Sequence, residues 1–113
     1  FIKVAGSFSE GVYASGPIDT TQSAAAQAAI KAHKDKFGED PGAFFLNAYA
    51  GMQALLNAIE KAGSTDYDAM MNALKSNYVD TPLGSISFDE RGDAIGIGFS
   101  MFQVQNGAYA EVK

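Results

Sequence analysis

The order of the predicted elements is what most limits the fold of this chain. One short strand, over residues 11–17, precedes three helical segments, and strand patterns then continue to the end. A single strand cannot supply the sheet that three amphipathic helices need to cover. We therefore expect an α/β fold whose other strands lie outside these 113 residues, so that the chain is a piece of a longer protein or one chain of a nicked one.

The first and third helical segments are predicted from their end signals. The first spans residues 20–37, opens at Thr20 and stops at Gly38, because glycine adopts the left-handed conformation that ends a helix at little cost. The third follows the N-cap residues 64–66 and ends near Ser76. The apolar stripe of the first segment consists of Ala26, Ala29, Ile30 and Phe37.

The second helical segment, residues 41–62, is predicted to be the core helix. Asp40 is a natural N-cap, and Pro41 suits the first helical position because its missing N–H has no partner there. Gly63 closes the segment. Large and small apolar residues recur at the three-and-four spacing of one buried face: Phe45, Ala48, Tyr49, Met52, Leu55, Leu56 and Ile59.

Two adjacent aromatic residues at the start of this helix have different expected roles. Side chains of neighbouring helical residues point about 100° apart. Phe45 belongs to the buried stripe and is expected to be a core residue. Phe44 lies off the stripe, where it is a candidate for contact with an apolar ligand or for packing on a neighbouring loop.

The C-terminal part reads as strands joined by turns. Ile86 and Phe88 alternate with serines, and residues 89–93 form an acidic turn. Asn106-Gly107 stands between two alternating runs, and both residue types tolerate the positive φ of a two-residue hairpin turn. We therefore predict a hairpin there.

Composition and motifs exclude several functions. The formal charge of −5 comes with no basic cluster, which argues against nucleic-acid binding, and the chain has no cysteine. No apolar run approaches the roughly 20 residues that cross a bilayer. The serine, glycine and acidic motifs of esterases, nucleotide sites and calcium loops do not match, and His33, the single histidine, is expected to be a solvated or boundary residue. We therefore expect no cofactor, no metal and no enzymatic activity.

Three motifs carry a family resemblance. They are Ala5-Gly6 leading to Glu10-Gly11-Val12, Gly42-Ala43-Phe44 followed by Tyr49-Ala50, and Leu83-Gly84 leading to the turn at residues 88–93. With them, nearly the whole chain resembles the C-terminal third of periplasmic branched-chain amino-acid-binding proteins, the type I solute-binding components of ABC transporters.

The resemblance implies part of a two-lobed fold with flavodoxin-like lobes that close around an amino acid. Residues 1–16 would end the C-terminal lobe, residues 17–97 would be the helical part of the N-terminal lobe, and residues 98–113 would be terminal strands crossing back to the C-terminal lobe. Phe44 aligns with an aromatic residue that lines the side-chain pocket, with Leu46 and Tyr49 as neighbours. The family's main contacts to the amino and carboxylate groups lie outside this chain.

The resemblance also implies partners and a location. The ligand would be leucine, isoleucine or valine, and the partners would be an inner-membrane ABC permease and the remainder of the same polypeptide. The location would be the periplasm, reached with a signal peptide that is not in this chain. A ligand-sensing receptor domain of the same fold is the alternative, and an α/β enzyme half-domain a more distant one.

Overall fold

The computed structural model describes residues 1–112, which form two compact units. One unit contains Phe1–Ile18 and the segment from Gly98 onward, and the other is Asp19–Ile97. None of the described helices is both long enough and apolar enough to cross a membrane. Which lobe each unit belongs to remains a prediction.

The structure contains both helices and antiparallel strands, as the sequence predicted. A 3₁₀ turn, Gly6–Ser9, separates the first helix from the first strand. The helices are α1 (Ile2–Ala5), α2 (Ala24–Phe37), α3 (Phe45–Ala62) and α4 (Tyr67–Ser76). The strands are β1 (Tyr13–Pro17), β2 (Val79–Thr81), β3 (Gly84–Phe88), β4 (Ala94–Ile95), β5 (Phe99–Gln105) and β6 (Ala108–Val112).

The unit that holds both ends of the chain is built on a three-stranded antiparallel sheet of order β1-β5-β6. The predicted hairpin at Asn106-Gly107 is confirmed, because these residues join β5 to β6 with φ angles of 54° and 76°. The Glu10 carboxylate accepts hydrogen bonds from both of their N–H groups. Val104 of β5 is almost fully buried. The turn is thus held both by its own backbone conformation and by a distant carboxylate.

The second unit packs α2, α3 and α4 with a second three-stranded sheet of order β2-β3-β4. Its core centres on Ala50 and Ala54 of α3 and Ile86 of β3. Five partly buried apolar residues surround this cluster: Leu74, Val79, Leu83, Phe88 and Ile97. The residues that α3 contributes to this cluster are alanines, so the buried core of the unit contains few large side chains.

Several helix ends in this unit follow local capping rules, although α2 starts later than predicted. The hydroxyl of Ser23 accepts from the Ala26 N–H at 3.2 Å, so α2 begins at Ala24 and the predicted start at Thr20 is wrong. Asp66 caps α4 in the same way at 3.1 Å, as predicted. Gly38 and Gly63 end α2 and α3 in the left-handed conformation. The predicted stops are therefore confirmed.

The predicted buried stripe of α3 is wrong for this structure. The buried residues of the helix are Ala50, Ala54 and Ala58, which lie four apart on one face. Four large residues of the predicted stripe are exposed instead: Tyr49, Met52, Leu55 and Leu56. The alanine face is the one that packs with Ile86 of β3, and α3 lies next to α4 and β2, where small side chains permit close packing. The large apolar face is left uncovered in the described residues.

Two smaller predictions also need correction. In α2, Ala26 and Ala29 are buried as expected, but Phe37 at the end of the stripe is 60% exposed. The first strand begins at Tyr13 rather than Gly11, because Gly11 has a positive φ of 77° that does not fit a strand.

Candidate functional site

Phe44 lies at the junction where the connection from α2 enters α3. It occupies the N-cap position, and its carbonyl accepts the Ala48 N–H at 3.0 Å. The backbone of Phe44 is thereby fixed by the first turn of the helix, while its side chain is 79% exposed. The prediction that Phe44 lies off the core is confirmed by this exposure. A fixed backbone with an exposed ring is suited to contact with an apolar group.

The predicted cap of α3 is wrong. Asp40 makes no capping bond, because its carboxylate pairs with the Lys34 ammonium at 2.9 Å, and the helix begins four residues after Pro41, at Phe45. The N-cap Phe44 has no side-chain oxygen to satisfy the free N–H groups of the first turn. Gly42 takes part in the turn instead, since its carbonyl accepts the Phe45 N–H at 3.1 Å.

Phe45 is half-buried, and aromatic groups flank it on both sides. Its ring centroid lies 4.9 Å from that of His33, in an edge-to-face arrangement, and 5.8 Å from that of Tyr49. His33 also lies 4.7 Å from Phe37. The row of rings therefore runs from the end of α2 to the second turn of α3, and Phe45 is its centre rather than a fully buried core residue.

Leu46 and Tyr49, the other two predicted contact residues, lie three apart on α3. Leu46 is half-buried and Tyr49 is 41% exposed. Residues at this spacing are neighbours on a helix surface. Together with Phe44 they place apolar side chains on the first two turns of α3. Whether all three touch a ligand remains a prediction.

His33 is the residue that sequence reasoning undervalued. The expectation of a boundary position is confirmed by its intermediate exposure. Its contact with Phe45 was not foreseen, although its spacing of four from Phe37 on α2 already indicated an aromatic pair. The contact across to α3 depends on the path of the connecting segment, which no local pattern reveals.

Nothing in the described residues suggests a metal site. Residues 1–112 contain no group of three or more histidine, aspartate or glutamate side chains placed to hold an ion. In the acidic turn, the Asp89 carboxylate accepts the N–H groups of Arg91 and Asp93 at 2.8 and 2.9 Å. Gly92 has a φ of 88°, so the turn geometry accounts for its sequence.

A shallow depression between α3, α4 and β3 offers no space for a solute. It is lined by Ala54, Asn57, Ala58, Ala73, Leu74, Asn77, Val79, Ile86 and Phe88, and its interior does not admit a water molecule. Phe44 is not part of it. The predicted contact residues at the start of α3 lie outside this depression.

Comparison with known proteins decides the family. The sequence profile of the periplasmic binding proteins matches residues 2–108. The chain belongs to this family. The fold is accordingly part of the two-lobed arrangement of periplasmic binding proteins, as the resemblance implied.

Individual family members support the same assignment. The chain is 36% identical to a leucine-, isoleucine-, valine-, threonine- and alanine-binding protein of Pseudomonas aeruginosa over 88% of its own length and 27% of the relative's. It is 32% identical to the Leu/Ile/Val-binding protein of Escherichia coli over 97% of its length and 30% of the relative's. The chain thus spans about a third or less of the curated relatives it matches.

A solved family member shares the chain's architecture. The crystal structure of a leucine-binding protein from Thermotoga maritima superposes with a TM-score of 0.74 at 28% identity, covering 99% of this chain and 33% of the other. These relatives are solute-binding proteins rather than enzymes by their names. The comparisons thus confirm the predicted family.

Proposed function

We propose that the complete protein is the solute-binding component of an ABC transporter. It binds a small aliphatic amino acid, of which leucine, isoleucine and valine are the leading candidates, and delivers it in the periplasm to an inner-membrane permease. The observation that carries this proposal is the similarity over nearly the whole chain to proteins named for binding these amino acids. The specificity and the permease are inferred from the relatives.

Within this proposal, the chain contributes to both lobes of the complete protein. We assign Asp19–Ile97 to the N-terminal lobe, and Phe1–Ile18 with the segment from Gly98 onward to the C-terminal lobe. The division into two units at positions close to the expected boundaries supports this assignment. The ligand would lie in the cleft between the two lobes.

Phe44 forms part of the apolar wall that receives the ligand side chain, and Leu46 and Tyr49 are its neighbours. The support is the 79% exposure of Phe44 on a backbone that the first turn of α3 fixes. Such an apolar wall favours leucine over alanine because leucine buries more apolar surface, and each buried methylene contributes roughly 0.8 kcal/mol. It separates leucine from aspartate more strongly, because a carboxylate would lose its hydration against the ring.

Calorimetric titration of the complete protein with a panel of amino acids tests the substrate class. We expect leucine, isoleucine and valine to bind, and aspartate and lysine not to bind. If no aliphatic amino acid binds while another solute does, the substrate assignment is wrong although the family is not.

The role of Phe44 is tested by Phe44→Ala in the same protein. Full burial of a phenylalanine side chain contributes about 1.5–3 kcal/mol, so its removal is expected to weaken leucine binding by about tenfold or more. Tyr67→Ala is the matched control, because Tyr67 is a similarly exposed aromatic residue, 73%, at the start of another helix. Equal affinities for the two variants would contradict the role of Phe44.

A further inference from the structure

The start of α3 is contacted by a side chain from α2, that of His33. The ring of His33 meets the ring of Phe45 edge to face at 4.9 Å, and Phe45 directly follows Phe44 in the chain. Edge-to-face pairs at this distance are favourable beyond the area that they bury. The contact therefore ties the first residue of α3 to the preceding helix.

The same histidine also holds the connecting segment. Nδ1 of His33 lies 3.2 Å from the carbonyl oxygen of Glu39. A carbonyl only accepts, so this bond assigns the Nδ1 proton to the histidine as donor. His33 thus contacts the connection between α2 and α3 at both of its ends, through Glu39 and through Phe45.

The other tie of this segment is weaker. Lys34 pairs with Asp40 at 2.9 Å, but both side chains are more than half exposed. Exposed ion pairs of this kind contribute about 0–1 kcal/mol. Because α3 lacks a side-chain N-cap, the contacts of His33 add to the backbone hydrogen bond from the Phe45 N–H to the Gly42 carbonyl at this helix start.

We propose that His33 is a positioning residue for the ligand contact of Phe44. This inference rests on the proposed function and deepens it. By holding Phe45 and the Glu39 carbonyl, His33 fixes the direction in which the chain enters α3, and with it the direction of the Phe44 side chain. Because the Phe44 side chain is then already ordered in the free protein, less conformational entropy is lost when the ligand binds.

A double-mutant cycle in the complete protein tests the inference, with leucine affinity measured by calorimetry. We expect His33→Ala to weaken binding by about two- to tenfold, the equivalent of one aromatic pair. In a Phe44→Ala background the same substitution is expected to have no further effect, because no ring is left to position. Lys31→Ala is the control on the same helix, since Lys31 pairs only with Asp35 in the described structure and is expected to leave affinity unchanged.

Two conservative variants separate positioning from a general loss of structure. His33→Asn keeps a donor near the Nδ1 position, and His33→Phe keeps a ring against Phe45. Each is expected to give an affinity between those of the parent and His33→Ala. If His33→Ala does not fold, as judged by circular dichroism, the cycle is carried out with His33→Asn.

The outcomes distinguish the inference from the proposal beneath it. If Phe44→Ala weakens binding but His33→Ala does not, or if His33→Ala weakens it equally in both backgrounds, the positioning role alone is overturned. If Phe44→Ala leaves leucine affinity unchanged, the proposed contact fails and the positioning role fails with it. If His33→Ala weakens leucine binding in the protein that retains Phe44 but not in the Phe44→Ala variant, both the contact and the positioning role are supported.

Discussion

The end of α4 is held by side chains rather than by a glycine. Asn77 follows the helix in an extended conformation, so the last carbonyls have no left-handed residue to close on them. The amide of Asn77 donates to the Ala73 carbonyl at 2.8 Å, and the hydroxyl of Ser87 on β3 donates to the Leu74 carbonyl at 3.1 Å, with Lys75 at 3.4 Å. Ser87 is only 1% exposed, although it alternates with apolar residues along β3.

Ser87→Ala removes this link between β3 and α4, and its cost follows from the contacts. One hydrogen bond contributes about 0.5–1.5 kcal/mol, and a buried carbonyl left without a partner adds about 1–3 kcal/mol. Because Asn77 still caps the neighbouring carbonyl and the lost volume is a single oxygen atom, we expect a total near the lower end, about 2 kcal/mol.

Urea unfolding of the ligand-free complete protein measures this cost. The relatives are roughly three times as long as this chain, and the m-value rises with size above that of small proteins, so a loss of about 2 kcal/mol lowers the midpoint by less than about 1 M. Ser85→Ala is the matched control, because Ser85 lies on the same strand but is exposed, and surface substitutions stay within about 0.5 kcal/mol. Equal midpoints for the two variants would refute the capping role of Ser87.

Three further substitutions probe other features. Gly96→Ala should destabilise the protein by about 1–3 kcal/mol in urea unfolding, because Gly96 has a φ of 91° and a Cβ there would overlap the carbonyl oxygen of Ser85; an unchanged midpoint would contradict this close approach. Leu56→Ala should cost about 2–5 kcal/mol in the complete protein if the exposed face of α3 is covered there, and under about 0.5 kcal/mol if it is not. The pKa of Asp19 lies below its ordinary value of 3.8, mainly because its carboxylate accepts a hydrogen bond from the Thr21 hydroxyl and, to a smaller extent, one from the Thr21 N–H. At pH values above 3.8, ionised Asp19 therefore stabilises the folded state, and this contribution is lost as the pH falls through the lowered pKa. Thr21→Val removes the hydroxyl and should raise the pKa of Asp19 in a carboxylate NMR titration, whereas an unchanged pKa would refute the assignment.

Signals that act within a few residues were readable from the sequence. Gly38 and Gly63 end their helices where predicted, because a left-handed residue is almost free for glycine and costly for other residues. Asp66 and the Asn106-Gly107 turn were predicted for equally local reasons. In each case a local bond or dihedral angle matches the signal, although the Asn106-Gly107 turn is also held by the distant Glu10 carboxylate.

The start of α3 shows where local signals fail. Asp40 and Pro41 match the rule for a helix start, but the Asp40 carboxylate pairs with Lys34 on the preceding helix and the chain turns only at Phe44. Phe44 is exposed as expected, but the stripe from which this was inferred is itself largely exposed, and the contact of His33 with Phe45 depends on how α2 and α3 meet. The sequence therefore places the aromatic residues at the start of α3, but it does not reveal the contacts that this region makes with α2.

The two faces of α3 explain the largest error and connect it to the family. The helix packs its alanines against β3 and α4, while Met52, Leu55 and Leu56 remain between 43 and 59% exposed. Large contiguous apolar surfaces on soluble proteins mark contact sites, and the three-and-four spacing shows that this one was built as a helix face. The chain spans only 27% and 30% of the two curated relatives described above, so we expect the rest of the polypeptide to cover this face. The predicted stripe would then be buried in the complete lobe, whereas the alanine face is buried by contacts within this chain.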